Sequence, residues 1–362
     1  MPDIDHLFPG ATQGVYLNTA SMALGNRPAR EALAAAADRW EQGTFDFVAA
    51  ERVAEELRYG IASLIRASPD DMAIVTGASG AASTVAAQLG PAAPGANVVV
   101  PERDFLSNFM PWALLRDKGY ELRLVEDVGG TISTDELARL VDSRTAVIAT
   151  SLVQSATGFR VDVDSVKDIA HDAGSWLVMD ASQAIGAIDV DVDGIDALFA
   201  CSHKWLLGIR GMGHLYVSPE LNARFVPLTP GWKSTQDPMT SFYGPEFELA
   251  GRASKLDASF GWFDAIANLE GLRIIESFGI AEIEAHSLSL VDELEEAGVP
   301  IAFERNHRSP IVSIDVKSPD DVVGELGKRS IIGSLRAGRL RVSVHLYNTS
   351  QDIAALAEAL SS

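Results

Sequence analysis

Short apolar segments alternate with helix-length stretches between residues 70 and 217, and this alternation constrains the fold more than any other feature. Seven of the segments are predicted strands, at 72–76, 97–100, 121–125, 145–150, 176–180, 197–200 and 213–217. Continuous strands rich in Val and Ile, separated by helices, are typical of parallel strands buried on both faces. The sequence therefore predicts an α/β protein whose mostly parallel, seven-stranded sheet is covered by helices on both sides.

A second, smaller lobe is predicted toward the C-terminal end. Residues 218–260 are irregular and rich in Pro, Gly and Ser, as expected for a connection or the rim of a site. The elements predicted after it are a long helix from 262, strands at 311–316 and 340–344, and a closing helix from 350. A chain of 362 residues exceeds one ordinary core. We therefore predict a large domain over 15–255 and a smaller α+β domain formed by 1–14 and 256–362.

Charge and cysteine content exclude several classes of protein. The net charge of −21 argues against nucleic-acid binding, which needs a basic face to neutralise phosphates. The single cysteine, Cys201, excludes an internal disulfide and is typical of a reducing cytoplasm. The sequence contains no apolar run of about 18 residues and no basic-then-apolar N-terminus, so we expect neither a membrane span nor a signal peptide. The histidines lack metal-ligand spacing, and no metal site is expected.

Asp180 and Lys204 are the residues that most directly suggest chemistry. Asp180 ends the apolar run 175–180, and Lys204 follows the next predicted strand. Such a pair suits pyridoxal phosphate, because a lysine forms a Schiff base with the aldehyde and a carboxylate keeps the pyridine nitrogen protonated. The alternative is an aspartate that caps a helix and a lysine in solvent.

A turn of small residues at 76–83 follows the first strand of the predicted sheet and begins a helix. It contains Gly77, Ala78 and Ser79, so backbone N–H groups at the helix N-terminus can approach an anion, with a hydroxyl donor beside them. In isolation this pattern indicates only a tight turn. Ligands of open α/β sheets bind beyond the carboxyl ends of the strands, where Asp180 and Lys204 also lie, which favours a phosphate site.

Five segments together resemble the class V aminotransferase family of fold-type I pyridoxal-phosphate enzymes. That family also contains cysteine desulfurases, kynureninase and isopenicillin N epimerase-like proteins. The similar segments are Tyr-Leu-Asn-Thr-Ala-Ser at 16–21, Thr-Gly-Ala-Ser at 76–79, Asp-Ala-Ser-Gln-Ala at 180–184, Ser-His-Lys at 202–204 and Arg-Val-Ser-Val-His-Leu-Tyr-Asn-Thr at 341–349. They occur in the order of the family and extend over nearly the whole chain.

The resemblance implies a role for each matching residue. Lys204 is expected to bind the cofactor and then to take the Cα proton of the substrate. The residues expected to hold pyridoxal phosphate are Ala78, Ser79, Phe105, Asp180, Gln183, Ser202, His203 and Lys204, with Ser259 reaching the phosphate of a neighbouring subunit. Ala20, Ser21 and Arg341 are expected on the substrate side, with Arg341 on the substrate carboxylate. The resemblance thus implies an amino-acid substrate and a homodimer with composite sites.

The sequence leaves the reaction open, since several outcomes follow removal of the Cα proton. We expect aminotransferase-type chemistry, with a Cβ–S or Cβ–C lyase or an epimerase of the same family as the alternative. A non-catalytic binding protein is the alternative from a different class, but Lys204 and Asp180 are both retained. A cysteine desulfurase is disfavoured, because residues 329–338, where such enzymes carry a nucleophilic cysteine, contain none.

Overall fold

The computed structural model describes residues 4–361, whose largest feature is a seven-stranded sheet between two layers of helices. The strands are β1 (Val15–Tyr16), β2 (Met72–Val75), β3 (Asn97–Pro101), β4 (Glu121–Val125), β5 (Asp127–Val128), β6 (Thr131–Ile132), β7 (Thr145–Ser151), β8 (Trp176–Asp180), β9 (Ala197–Cys201), β10 (Gly213–Val217), β11 (Ile311–Ile314), β12 (Ile331–Ile332), β13 (Ser334–Arg336) and β14 (Arg339–Ser343). The α-helices are α1 (Arg27–Glu41), α2 (Phe47–Leu64), α3 (Ala78–Ala87), α4 (Leu106–Ala113), α5 (Thr134–Leu140), α6 (Val163–Ala173), α7 (Pro219–Arg224), α8 (Trp262–Phe278), α9 (Ile280–Glu296), α10 (Pro319–Lys328) and α11 (Ser350–Ser361).

The large sheet has the strand order β2-β10-β9-β8-β7-β3-β4. Strand β10 runs antiparallel to both neighbours, and the other pairs are parallel. The prediction of seven mostly parallel strands is confirmed, with strand ends within about one residue of those expected. Pairing of Ser151 with Asp180, and of Asp180 with Phe199, places the ends of β7, β8 and β9 at one edge.

Alternate residues of the central strands belong to two different cores, which explains why most residues of these strands are apolar. Val99 and Ile148 pack in the core on one face of the sheet, whereas Val98 and Val147 pack in the core on the other. Side chains alternate between the faces of a strand, so a strand covered on both sides requires an apolar residue at every position.

The helical layer on one face includes α2 and α8, which pack against each other. Ala54, Leu57 and Ile61 of α2 are buried at helical spacing, and they form the apolar stripe that faces the sheet. Buried Arg58 on the same helix forms an ion pair with Asp257 at 2.6 Å. Among the described residues, no helix combines the length and the apolar character that crossing a bilayer requires.

The smaller lobe is built on the antiparallel sheet β11-β14-β13. The strands predicted at 311–316 and 340–344 are confirmed as β11 and β14, whereas the short strands β12 and β13 were not anticipated. Near the N-terminal end of the chain, β1 pairs in parallel with β12, and Leu17 is buried in the core of this lobe. The predicted domain boundaries, 15–255 against 1–14 and 256–362, stay a prediction.

Candidate active site

A cavity of about 370 Å³ lies at the sheet edge where β8 and β9 end, and residues of the smaller lobe close one side of it. Its volume is within the range of small-molecule sites. The predicted residues that line it are Ala20, Ser21, Ala78, Ser79, Phe105, Asp180, His203, Lys204 and Arg341. Thr76, Gly77 and Gly80 of the predicted phosphate turn also line it. The lining residues that sequence reasoning did not select are Ser107, Ser155, Ser182, Cys201, Arg210, Gly211, Met212 and Arg336.

Asp180 is the last residue of β8, and its carboxylate forms a buried wall of the cavity. The residue is only 4% exposed, and its Oδ1 accepts a hydrogen bond of 2.8 Å from the backbone N–H of Ser182. Burial raises the pKa of Asp180, while the hydrogen bond from Ser182 and the positive charge of Lys204 oppose that shift. A protonated, positively charged ring nitrogen of a bound ligand would also lower the pKa of Asp180 and keep the carboxylate ionised.

A second buried carboxylate, Asp104, lies behind the cavity and was missed in the sequence. It accepts hydrogen bonds from the backbone N–H of Ser151 at 2.8 Å, from the Asn108 amide at 2.9 Å and from the Phe105 N–H at 2.7 Å. Burial, together with repulsion from Asp180, raises the pKa of Asp104 to about 6 although these donors favour ionisation. Asp104 fixes the start of α4 and therefore the position of Phe105. Its position just beyond the end of β3 is the sequence feature that could have identified it as part of the site.

Lys204 follows β9 and directs its amine toward the ring of Phe105, with Nζ 5.5 Å from the ring centroid. Phe105 is half exposed at the cavity. Burial lowers the pKa of the neighbouring His203 to about 4, and the positive charges of Lys204 and Arg210 add to the shift. His203 is therefore a neutral hydrogen-bonding group near pH 7.

The turn before α3 forms a cradle of backbone N–H groups on the cavity wall. Gly77 precedes the helix with a φ of +140°, and an ideal Cβ on it would meet nothing within 4 Å, so the space above the turn is open. On the other side, a Cβ on Gly213 would lie 2.8 Å from the Gly77 Cα, so strand β10 approaches the turn closely. Ser79 adds a hydroxyl that donates to Ser107 at 2.9 Å. This donor set fits a phosphate group.

Three predicted residues do not line the cavity. The Ser202 hydroxyl is buried and hydrogen-bonded to His214 Nε2 at 3.0 Å. The Gln183 amide donates to the Ala20 carbonyl and to Ser155, and accepts from the Trp205 indole at 2.7 Å. Ser259 is exposed and does not line the cavity. The side chains of Ser202 and Gln183 thus support the wall from behind, and the cofactor contacts expected of all three stay predictions.

Arg341, on β14, presents a buried guanidinium group to the cavity. It is 2% exposed and donates to the Ser21 hydroxyl at 2.6 Å and to the Ser155 carbonyl at 2.7 Å. No carboxylate among the described side chains forms an ion pair with it. Burial lowers the pKa of Arg341 to about 10, with a contribution from the charge of Arg336. A buried cation that has only neutral partners is suited to receive the carboxylate of a ligand.

Cys201, the single cysteine, lies between Asp180 and Lys204 in the sequence, and its side chain lines the cavity. It is 6% exposed, and burial raises the pKa of its thiol, although the charge of Lys204 opposes this shift. The segment 329–338 forms β12, β13 and part of the hairpin that leads into β14. From that segment it is Arg336 that reaches the cavity.

Three comparisons with known proteins point to one family. The family model described as aminotransferase class-V matches residues 31–356. A probable cysteine desulfurase of Methanothermobacter thermautotrophicus is 29% identical, over 99% of this chain and 96% of that protein. The uncharacterized aminotransferase YcbU of Bacillus subtilis is 28% identical, over 83% of this chain and 80% of that protein.

Solved structures agree with the predicted fold class. A cysteine desulfurase from Thermococcus onnurineus NA1 superposes with a TM-score of 0.85 at 24% identity, covering 98% of this chain and 96% of that one. A mutant of C-DES with glycine covalently linked to the PLP cofactor gives a TM-score of 0.87 at 20% identity, covering 100% and 99%. The α/β fold-type I architecture is therefore confirmed.

Proposed function

The chain belongs to the class V aminotransferase family, and from this premise we propose that it breaks the Cβ–S bond of a cysteine-type α-amino acid. Family membership makes it a pyridoxal-phosphate-dependent enzyme, a transaminase or a lyase. The preference for a lyase is supported by the relative named probable cysteine desulfurase, which matches nearly the whole chain. Aminotransferase-type chemistry is the second candidate, supported by the relative named an uncharacterized aminotransferase.

The sequence argument against a cysteine desulfurase is not borne out by these relatives. That argument used the missing cysteine in 329–338, and several proteins named probable cysteine desulfurase nevertheless match the chain. Cys201 also lines the cavity, so a thiol is present beside the reacting groups. Sulfur chemistry therefore belongs to the proposal, and the fate of the sulfur is what an experiment must measure.

The observation that carries the proposal is that an amine, a buried carboxylate and a buried guanidinium face one cavity. Pyridoxal phosphate, when bound, supplies an electron sink for negative charge at Cα. Asp180 would hold its pyridine nitrogen, and the N-terminus of α3 with Ser79 and His203 would hold its phosphate. Arg341 would bind the substrate carboxylate, and the amine of Lys204 would accept the Cα proton.

We also propose that a second copy of the chain covers α4. Apolar side chains exposed on and beside this helix are Phe105, Leu106, Met110 and Leu114, each at least half exposed. A contiguous apolar surface next to a site is typical of an interface. Such a dimer would be compatible with the expected contribution of Ser259 to a neighbouring site. Light scattering should give twice the chain mass, and Leu106→Glu should shift it toward the monomer.

The reaction is tested by incubating the holoenzyme with cysteine and measuring every product. Elimination consumes water and gives pyruvate, ammonia and sulfide in equal amounts. Transfer of sulfur to Cys201 gives alanine and a persulfide on the protein. Either result supports Cβ–S cleavage, and Lys204→Ala should abolish both. Conversion that requires an added keto acid and releases no sulfur would establish transamination instead.

A further inference from the structure

Arg336 and Arg341 meet at one hydroxyl group in the cavity wall. The Nη2 atoms of both residues donate to the Oγ of Ser21, over 3.2 Å from Arg336 and 2.6 Å from Arg341. The charge of Arg336 contributes to the lowered pKa of Arg341, so the two guanidinium groups are close enough to repel each other. Two adjacent cations without an anion form an unfavourable arrangement, which binding of an anionic ligand relieves.

A third arginine of the same hairpin shows how such a charge is otherwise neutralised. Arg339 donates to both carboxylate oxygens of Asp315, at 2.7 and 2.6 Å, in a bidentate pair. Arg336 instead donates only to the Leu335 carbonyl and the Ser21 hydroxyl, and no carboxylate among the described side chains forms an ion pair with it. Asp315, which follows β11, thus neutralises Arg339, which does not line the cavity, whereas Arg336 and Arg341 are available to a ligand.

The position of Arg336 is set by backbone geometry. Ala337 and Gly338 connect β13 to β14 with φ values of +49° and +78°, the pattern of a two-residue type I′ hairpin turn. In the register, Ser334 pairs with Arg341 and Arg336 pairs with Arg339. Residues two apart on a strand, and residues paired across two strands, share a face, so Arg336, Arg339 and Arg341 lie on one face of the hairpin, and of these Arg336 and Arg341 line the cavity. The hairpin therefore delivers both guanidinium groups to the same side of the cavity.

Four basic side chains and one acidic side chain line the cavity, and Arg336 is the arginine to which neither the cofactor nor the substrate α-carboxylate has been assigned. The basic side chains are Lys204, Arg210, Arg336 and Arg341, and the acidic side chain is Asp180. Arg210 acts on His203, whose pKa its charge lowers, and so belongs to the proposed phosphate end. Arg341 is assigned to the substrate α-carboxylate. Arg336 remains without an assigned partner. Since the protein has a net charge of −21, the positive charge at this site does not reflect the composition of the whole chain.

We propose that Arg336 binds a second acidic group on the substrate, so that the enzyme prefers α-amino acids whose side chain carries a carboxylate or another oxyanion. This inference rests on the proposed function, because it needs Arg341 to take the α-carboxylate. Loss of a charged hydrogen bond predicts a preference of about 10- to 100-fold for an acidic side chain over its neutral isostere.

Matched substrates that differ only in charge test this assignment. The pairs are aspartate with asparagine and glutamate with glutamine. Cysteine sulfinate is compared with cysteine as a sulfur-containing acid, although it also carries two more oxygens. Exchange of the Cα proton in D₂O, followed by NMR, reports binding and deprotonation whichever product forms. Calorimetric binding of succinate and succinamate to the holoenzyme gives a second readout that involves no reaction. The variants are Arg336→Gln and, as the matched control, Arg339→Gln.

The expected result is that at least one acidic substrate is preferred by wild type and that Arg336→Gln removes this preference by slowing the acidic substrate much more than its neutral partner. Succinate should bind more tightly than succinamate only when Arg336 is present, and Arg339→Gln should behave like wild type. An equal loss for acidic and neutral substrates would mean that both arginines bind the α-carboxylate, and would overturn the inference. Wild type that prefers the neutral partners overturns it too. If the enzyme exchanges the Cα proton of no amino acid at all, the proposed function itself is refuted.

Discussion

His345 Nε2 donates a hydrogen bond of 3.0 Å to the carbonyl oxygen of Trp205, the residue after Lys204. The donor role follows because His345 Nδ1 accepts from the backbone N–H of Leu346 at 2.7 Å, which leaves the proton on Nε2. His345 lies just beyond β14, the strand that carries Arg341. One neutral imidazole therefore connects the segment that contains Lys204 to the segment that contains Arg341.

This connection should make the protein sensitive to acid. Burial lowers the pKa of His345 to about 4, below the ordinary 6.5, so the unfolded chain binds the extra proton first. The stability that this group contributes is complete above about pH 6.5 and is lost as the pH falls toward 4, by up to about 3 kcal/mol. Urea unfolding of His345→Asn should thus show a stability gap to wild type that narrows over this range. A constant gap would refute the assignment, and His171→Asn, on an exposed helix position, is the control.

Lys204→Ala should remove the absorbance band of the Schiff base that links the cofactor to the protein. The purified wild-type protein is expected to be yellow, since Lys204 faces the cavity that fits pyridoxal phosphate. Absorption spectra of wild type and variant, after addition of the cofactor, measure this directly. Unchanged thermal unfolding of the variant would show that folding is preserved. A colourless wild-type protein that binds no added pyridoxal phosphate contradicts the prediction.

Asp180→Asn should weaken catalysis far more than it weakens folding. The buried carboxylate is placed to stabilise a protonated ring nitrogen, and therefore the charge that develops when the Cα proton leaves. We expect Cα proton exchange in D₂O to slow about a hundredfold or more, where each tenfold corresponds to about 1.4 kcal/mol of barrier. Absorbance of the bound cofactor should persist. Exchange near the wild-type rate would return Asp180 to a purely structural role.

Arg341→Met should strongly reduce activity without destabilising the fold. A buried guanidinium that has no carboxylate partner is costly to fold, so an apolar side chain of similar length should leave the midpoint of thermal unfolding equal or higher. Loss of the carboxylate contact should raise KM, and loss of orientation at Cα should lower kcat as well. A rise in KM alone would indicate simple binding. Unchanged kinetics would show that the substrate does not contact this residue.

The sheet was predictable because its central strands are buried on both faces, so their sequences contain continuous apolar runs such as 98–100. The same logic located Asp180 and Lys204, because residues at strand ends share one edge. Asp104 and Arg336 were missed because their importance depends on neighbours distant in sequence, Ser151 for the first and Ser21 for the second. The side chains of Ser202 and Gln183 could not be oriented from a motif, since His214 and Trp205 determine where they point.

Cys201 should react slowly with iodoacetamide in the folded protein, and more slowly still when pyridoxal phosphate is bound. Its thiol is nearly inaccessible, and burial raises its pKa, so little of the reactive thiolate is present at pH 8. We expect alkylation about tenfold or more slower than in urea, where the same single thiol is free. Since Cys201 lines the cavity, added cofactor should give further protection in wild type. Mass spectrometry of the intact chain measures one adduct over time. Rapid alkylation that the cofactor does not alter would place the thiol outside the cofactor cavity, and would remove Cys201 as an acceptor of substrate sulfur.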